Sequence, residues 1–428
     1  MNPIPHFLQA AFVGFEITQY SETLENGIIT VHLERAPDKD WVCHRCGTVL
    51  GVHRGKYPVC LDGMPIMGFN FKIYLWRLKG ECHKCQKARA ERVEFIAEET
   101  PHLTRDYAYW VGRLCEMASV SRVAEFIAAS EMSVWRLDFA RMRCMLSRYK
   151  IPRVTRIAVD EVYVRRKPKY VGESRNKRFF TVITDLDTRK VIWVSESRDR
   201  AGLDEFFAKI GEEACKEISV VATDQHEEYA WAVKSWCPNA TLVWDRFHIM
   251  QNFEKAMNET RKELHESFGK KDPMKDLTRG KYRFLFLKKA TRRTEDEQKH
   301  IEDVMRDNDL FLKLELIKER MLTFFDQEDM LLARYVFHDV GRWIIECQFE
   351  PLKAWWLRMN KQWGQLSNYF QFRVTTAVCE GFNNVIKMLK RRAFGFRNME
   401  YFRLKIMQTC GYLNSRYIHP IIQPLALM

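Results

Sequence analysis

The chain has 428 residues, 46% of them hydrophobic and 29% charged, which excludes a disordered chain and leaves room for about two to four domains with cores of their own. No apolar run is long enough to span a bilayer, and the opening stretch lacks the basic region and cleavage pattern of a secretory signal, so a cytosolic protein is expected. The net charge of +13 favours a polyanionic partner, with nucleic acid ahead of membrane because no basic amphipathic anchor stands out.

Residues 1–98 read as a β-rich domain. "FVGFEITQY" and "GIITVHLER" alternate apolar and polar residues on either side of an Asn26-Gly27 turn signal, and "NFKIYLWRLKG" forms a further strand. Twelve cysteines in a cytosolic chain are expected as thiols or metal ligands rather than disulfides. Cys43 with Cys46, and Cys82 with Cys85, each leave two residues between them, the spacing that lets both thiolates of a pair reach one tetrahedral ion. Four thiolates close the coordination sphere, so a structural zinc is expected, with His44, His53, His83 and Cys60 as possible substitute ligands. Arg45, Arg54, Lys56, Arg77, Lys79, Lys84, Lys87 and Arg89 make the surroundings basic, as a DNA-reading module requires. The remaining cysteines lie in mostly apolar surroundings and read as small core residues.

Residues 99–150 read as three helices, "TRDYAYWVGRLCEM", "SVSRVAEFIAAS" and "MSVWRLDFARMRCMLSRY", the last with Ser133 as its N-cap. The latter two have the layout of a helix-turn-helix. Val123, Phe126 and Ile127 are expected in its core, and Arg136, Arg141 and Arg143 toward the phosphates or base edges of DNA. The plainer alternative is a helical bundle with a solvated basic face.

From residue 154 the pattern changes. Strands "RIAVDEVYV", "FFTVITDLDT" and "KVIWVSES" precede the helix "AGLDEFFAKIGEEA", the strand "ISVVATD", the helix "EEYAWAVKSW" and the strand "ATLVWD". Three sequential strands followed by alternating helix and strand predict an α/β domain with an RNase H-like mixed sheet over residues 151–264. Residues 265–370 read as a helical insertion, with Trp343, Trp355, Trp356 and Trp363 as core. Residues 371–428 are expected to complete the same RNase H-like domain with the helix "EGFNNVIKMLKRRA" and the C-terminal segment "YFRLKIMQTCGYL".

Two acids stand out in this part. Asp160 lies inside a strand rich in Val and Ile, where an unpartnered carboxylate is costly, and Asp224 ends "ISVVATD". In the expected sheet these strands are neighbours, so the two carboxylates can share Mg or Mn, two such ions serving phosphodiester chemistry. Glu161 faces the other way and reads as a structural ion pair or a support for the site, while Asp185 and Asp187 read as loop acids. A third acid is offered by Glu380. In its helix Phe382, Val385, Ile386 and Leu389 form a core face, and Glu380, Asn384, Lys387 and Arg391 form a second face suited to metal and phosphate.

In order along nearly the whole chain, these blocks resemble the ISL-three family of bacterial insertion-sequence transposases. "CHRC" to "CHKC" is similar to that family's zinc-binding domain, residues 103–148 to its helix-turn-helix, and "IAVDEVYVRR" with "FFTVITDLDTRKVIWVSESR" to the opening of its DDE domain. The more specific blocks are residues 224–263 and 379–405. The resemblance implies Asp160, Asp224 and Glu380 as the DDE triad, holding two Mg or Mn ions. It implies cleavage and strand transfer on double-stranded DNA, at terminal inverted repeats and target, by a homodimer or larger synaptic assembly associated with the nucleoid in the cytoplasm, with no role for a membrane. Lys387, Lys390, Arg391 and Arg392 are then expected on phosphates. "DRFH" is similar to a D-x-x-H element of several DDE families, in which His248 orients DNA; the alternative is a helix-start histidine satisfied by Asp245. The basic stretch at 165–178 is longer than the family turn. Two other readings stay open: a structure-selective nuclease on the same fold, and a DNA-binding regulator that has lost catalysis.

Overall fold

The structure, a computed structural model, describes residues 6–97, 100–164, 178–278, 282, 284–306, 308–393, 395–414 and 416. It contains two mixed sheets and many helices, divided between two compact units: Met1–Lys150 with Arg391–Met428, and Ile151–Lys390.

In the first unit a short helix α1 (His6–Ala10) precedes β1 (Phe15–Thr23), β2 (Ile28–Arg35), β3 (His53–Ile66), β4 (Phe69–Cys82) and β5 (Lys87–Ala90). The sheet order is β1-β2-β4-β3, with β5 also paired to β4. Period-two alternation puts Val31 and Leu33 of β2 and Ile73 and Leu75 of β4 into one core, sealed by the edge-on rings of Phe12, Phe15 and Phe95. β3, which pairs antiparallel with β4, contains Gly55, Pro58 and Gly63. It lies at the end of the strand order, where a proline lacking an N–H is tolerated.

Three helices follow: α2 (Arg105–Met117), α3 (Val120–Phe126) and α4 (Glu131–Arg148). The side chains of Thr104, Ser119 and Ser130 cap them by accepting backbone N–H bonds. Ser130, not Ser133, is therefore the N-cap of α4; it accepts from the backbone N–H of Ser133 itself. Val123 is buried as expected and Ile127 packs against the same core, but Phe126, at the end of α3, is 72% exposed. Arg141 also departs from expectation. It is buried, its guanidinium donating to the Gly112 carbonyl at 3.1 Å and pairing with Glu116 at 2.5 Å. Gly112 opens the slot for it, since a Cβ there would lie 2.4 Å from the Arg141 side chain.

The second unit is built on β6 (Arg156–Tyr163). Antiparallel β7 (Phe179–Asp185) and β8 (Lys190–Ser195) lie on one side of it, and parallel β9 (Val220–Thr223) and β10 (Thr241–Trp244) on the other. The basic stretch at 165–177 lies outside the described residues. Between β8 and β9 the single helix expected from the sequence is two, α5 (Arg200–Ile210) and α6 (Glu212–Glu217), because Gly211 at φ 85° breaks the run. α7 (Glu227–Trp236) joins β9 to β10. The strand-free stretch that follows β10 holds α8 (Arg246–Ser267), α9 (Pro273–Thr278), α10 (Glu295–Arg306), α11 (Asp309–Leu322), α12 (Met330–Glu346), α13 (Glu350–Lys361) and α14 (Trp363–Phe372), and leads to α15 (Ala377–Arg392). These helices do not make a separate core. Ala158, Ala222 and Val243 of the sheet share one apolar cluster with Phe253, Ile317, Phe337, Trp355 and Trp356, and Trp343 and Trp363 pack against it.

α16 (Met399–Cys410) belongs to the first unit, where it packs on α4. The buried carboxylate of Asp138 accepts the Tyr401 hydroxyl and pairs with Lys405, both at 2.7 Å, while Lys405 also donates to the Cys115 carbonyl. Removing the acid leaves a largely buried ammonium without its counter-ion. Asp138→Ala should cost about 3–5 kcal/mol, read as a lowered urea midpoint, whereas Arg143→Ala, which breaks the exposed pair with Glu400 and the stacking over Phe139 at 4.3 Å, should cost under about 2 kcal/mol.

Candidate active site and metal centre

Two tight turns carry the four cysteines. After Cys46, Gly47 takes a left-handed φ of 73°, and after Cys85, Gln86 takes 51°, so each pair is followed by the same sharp backbone reversal. Gly47 N–H closes the first turn onto the Cys43 carbonyl, and Cys85 N–H donates to the Cys82 sulfur. The four Sγ atoms lie within 4.8 Å of one another and, among the described residues, form the only such group of three or more His, Cys, Asp or Glu ligands. Cys46 and Cys82 are 3.4 Å apart and Cys43 and Cys85 are 4.0 Å apart. A tetrahedral zinc with Zn–S near 2.3 Å needs about 3.8 Å between sulfurs, so the set fits that ion. Hydrogen bonds from Thr48 bring the Cys46 thiol down to about 6, while burial and the neighbouring sulfurs push Cys85 up to about 11. His44 instead contacts the Ala90 carbonyl, and Cys60 stands exposed on β3.

The acids gather at the carboxyl ends of the three parallel strands of the second sheet. The register pairs Ala158 of β6 with Ala222 of β9, and Thr223 of β9 with Trp244 of β10. Continued past the strand ends, it brings Asp160, Asp224 and Asp245 to one edge. Alternation gives these acids the face of Ala158, Ala222 and Val243, which is the face of the helical cluster. Asp160 is half-buried there. It accepts the backbone N–H of Glu161 at 2.8 Å and the side-chain amide of Asn383 of α15, also at 2.8 Å. Burial pushes it up to about 6, with His248 pulling down and Asp224 and Asp245 pushing up, so these acids feel one another. Asp224 accepts the N–H of His226.

Asp245 stands immediately before α8 and fixes two things. One oxygen takes the N–H of Thr376 at 3.2 Å, anchoring the start of α15, and the other meets His248 Nδ1 at 3.2 Å. Burial opposes its ionisation, but these bonds hold Asp245 below the usual carboxylate range, and the same contact raises His248. Glu161 points to the opposite face, as expected. It pairs with Arg198 at 3.3 Å and accepts the hydroxyl of Tyr229 at 3.0 Å, with burial raising its pKa.

Glu380 lies in the first turn of α15, exposed, one residue after the buried Cys379 and three before Asn383. Asp160, Asp224 and Glu380 are not among groups whose oxygens all lie within 4.8 Å. Asn384, Lys387, Arg391 and Arg392 are exposed on the same helix and Lys390 is half-buried. The amide that reaches the acids is thus Asn383, not Asn384. Its signal was the spacing Cys379, Asn383, Ile386, which places an amide on the packed face. Asn383 Oδ1 is buried with no hydrogen-bond partner among the described residues. A partly buried, mutually repelling set of carboxylates beside an orphaned carbonyl oxygen fits hard divalent cations. Of the arginines in the helical trio, Arg136 is exposed, Arg143 is exposed and paired with Glu400, and Arg141 is spent within the fold.

Residues 157–406 match the profile of a DDE family, ISL3, described as Transposase. The chain is 23% identical over 377 residues to the transposase for insertion sequence element IS1001 of Bordetella parapertussis, an alignment covering 86% of this chain and 88% of that relative. It is 22% identical over 364 residues to the transposase for insertion sequence element IS1557 of Mycobacterium tuberculosis, covering 75% of this chain and 76% of the relative. For the cysteine site, Cys82→Ser should abolish a zinc signal of one equivalent per chain and lower the first unit's melting temperature by at least about 10 °C; full zinc retention in that variant by elemental analysis would remove Cys82 from the ligand set.

Proposed function

The chain belongs to the ISL-three family of insertion-sequence transposases, proteins of DNA transposition, and from that premise we propose that it cuts and rejoins DNA at an RNase H-like DDE site made by Asp160, Asp224 and Glu380. What supports this most is the convergence of Asp160 and Asp224 at the carboxyl edge of parallel strands, beneath the helix that carries Glu380. That edge is where open α/β sheets hold their ligands. When bound, Mg or Mn supplies Lewis acidity for the attacking oxygen and for the leaving oxygen of an in-line displacement.

The protein's own groups do the rest. Asn383 and the Glu161 N–H hold the Asp160 carboxylate in one rotamer. Glu161, locked by Arg198 and Tyr229, keeps β6 in place from behind. Asp245 holds His248 toward the acids and pins the start of α15, so His248 is placed to orient a strand end. Lys387, Lys390, Arg391 and Arg392 engage phosphates, and binding weakens with salt. Upstream, α3 and α4 act as a helix-turn-helix, Arg136 facing DNA and Arg143 joining it when released from Glu400. The zinc-bearing knob adds a basic surface, and together they read the terminal inverted repeats. Hydrolysis frees a 3′-OH that attacks a second strand. Two ends must meet, so a homodimer or larger synaptic assembly acts, at the nucleoid of a bacterial cytoplasm. No helix among the described residues is long and apolar enough to cross a membrane.

The test is Mg-dependent cleavage and strand transfer on duplexes carrying the element's own ends. Asp160→Ala, Asp224→Ala and Glu380→Ala should each reduce cleavage by at least about 100-fold with end binding kept within about twofold. Near-normal cleavage by one variant removes that residue from the triad. Cleavage without strand transfer by the unaltered protein points to a nuclease, and end binding without cleavage to a regulator.

A further inference from the structure

The sheet of the first unit has two faces of opposite character. Val31, Leu33, Leu61, Ile73 and Leu75 turn one face into the core. Alternation turns His32 of β2 and Tyr74 and Trp76 of β4 onto the other face, which stays open over these rings: Tyr74 is 40% exposed and Trp76 52%. His32 and Tyr74 are register partners, and their rings stack at 5.0 Å with planes 15° apart. Lys56 of β3 lies over the Trp76 ring at 5.1 Å and has no carboxylate partner among the described residues. Apolar surface gathered in one exposed place marks an interaction site, and its chemistry decides the partner. Here the apolar part is flat rings, bordered by Gln19 and Thr30 on one side and Lys56 on the other, which suits stacked bases. Tyr74 and Trp76 are two residues apart, about 6.8 Å along the strand, whereas neighbouring bases of a duplex lie about 3.4 Å apart and face inward. The pair therefore matches successive bases of an extended single strand.

We propose that this sheet face binds single-stranded DNA, Tyr74 and Trp76 each stacking on one base, an inference that takes DNA rather than RNA from the transposase reading. The charges around the rings set the path of the backbone. Glu16 and Glu34 are paired across β1 and β2, so negative charge marks that margin, and the phosphates lie on the opposite, β3 side, at Lys56. Lys72 is paired with Asp62 and adds no net charge. β4 runs on from Trp76 to Cys82, and Lys84 and Lys87, exposed in the cysteine knob, continue the cationic track. This surface is separate from the duplex-reading helices α3 and α4. It gives the protein a hold on unpaired strand without reading its sequence, because every base offers a ring face to stack on.

The experiment measures binding of a labelled, unstructured single-stranded DNA oligonucleotide to the full-length protein by fluorescence anisotropy, beside binding of an element-end duplex. Trp76→Ala should weaken the single strand about tenfold while duplex binding stays unchanged, and Trp76→Phe, which keeps a ring, should restore most of the loss. Lys56→Ala should lower the slope of log affinity against log salt by about 0.7 for the single strand. A second readout uses the unaltered protein. Cys60 is exposed and stands across from Tyr74 in the register, so the oligonucleotide should shield it from alkylation, followed by peptide mass spectrometry. Unchanged single-strand affinity in Trp76→Ala, or equal loss of single-strand and duplex binding, overturns the proposal. So does shielding confined to the exposed Cys144 of α4, which would put the oligonucleotide on the helices. Neither readout involves cleavage, so failure here leaves the transposase reading standing, and absence of Mg-dependent cleavage tests that reading alone.

Discussion

The carboxylate of Asp160 is held between two amides, one from its own strand and one from a helix more than two hundred residues away in sequence. That bond fixes α15 over the sheet edge, and with it the position of Glu380. Burying a charge is costly unless something compensates, and the two N–H donors compensate only in part, since the group still sits near 6. The remaining demand is for positive charge. His248 answers a little of it, and in the proposed function the divalent ions answer the rest. The helical insertion follows from the same constraint: it covers the face of the sheet that carries the acids and supplies the apolar cluster on which α8 and α15 rest.

The first unit depends on different physics. A sheet with a small core and a four-sulfur knob is followed by three capped helices, and the chain's end returns to lock onto them through Asp138, Tyr401 and Lys405. Buried ionic groups of this kind fix one arrangement rather than add much stability. Within the proposed function this unit presents DNA, with Arg136 exposed for that use, whereas Arg141 is consumed within the fold and Arg143 is paired with Glu400.

Much of the second unit's sheet was legible in the sequence. Short apolar runs ending in Asp160 and Asp224, with one helix-strand alternation after them, leave few ways to arrange the strands, and the parallel β6–β9 pair follows. Cysteine spacing gave the four-sulfur cluster for the same reason: its geometry is local. What stayed hidden is long-range or one position off. Asn384 and Asn383 differ by a single helical step of about 100°, and only the packing of Cys379 and Ile386 decides which amide turns inward. Arg141 reads like its neighbours until Gly112, on another helix, opens a slot for it. The pairing of Arg143 with Glu400 joins residues 257 positions apart, and no local pattern announces it.

Anomalous scattering from manganese in crystals of the protein bound to its element end tests the central claim most directly. The account predicts manganese density bounded by oxygens of Asp160, Asp224 and Glu380. Density elsewhere, or a DNA-bound structure in which Glu380 stays out of the coordination sphere of every ion held by Asp160 and Asp224, would contradict it.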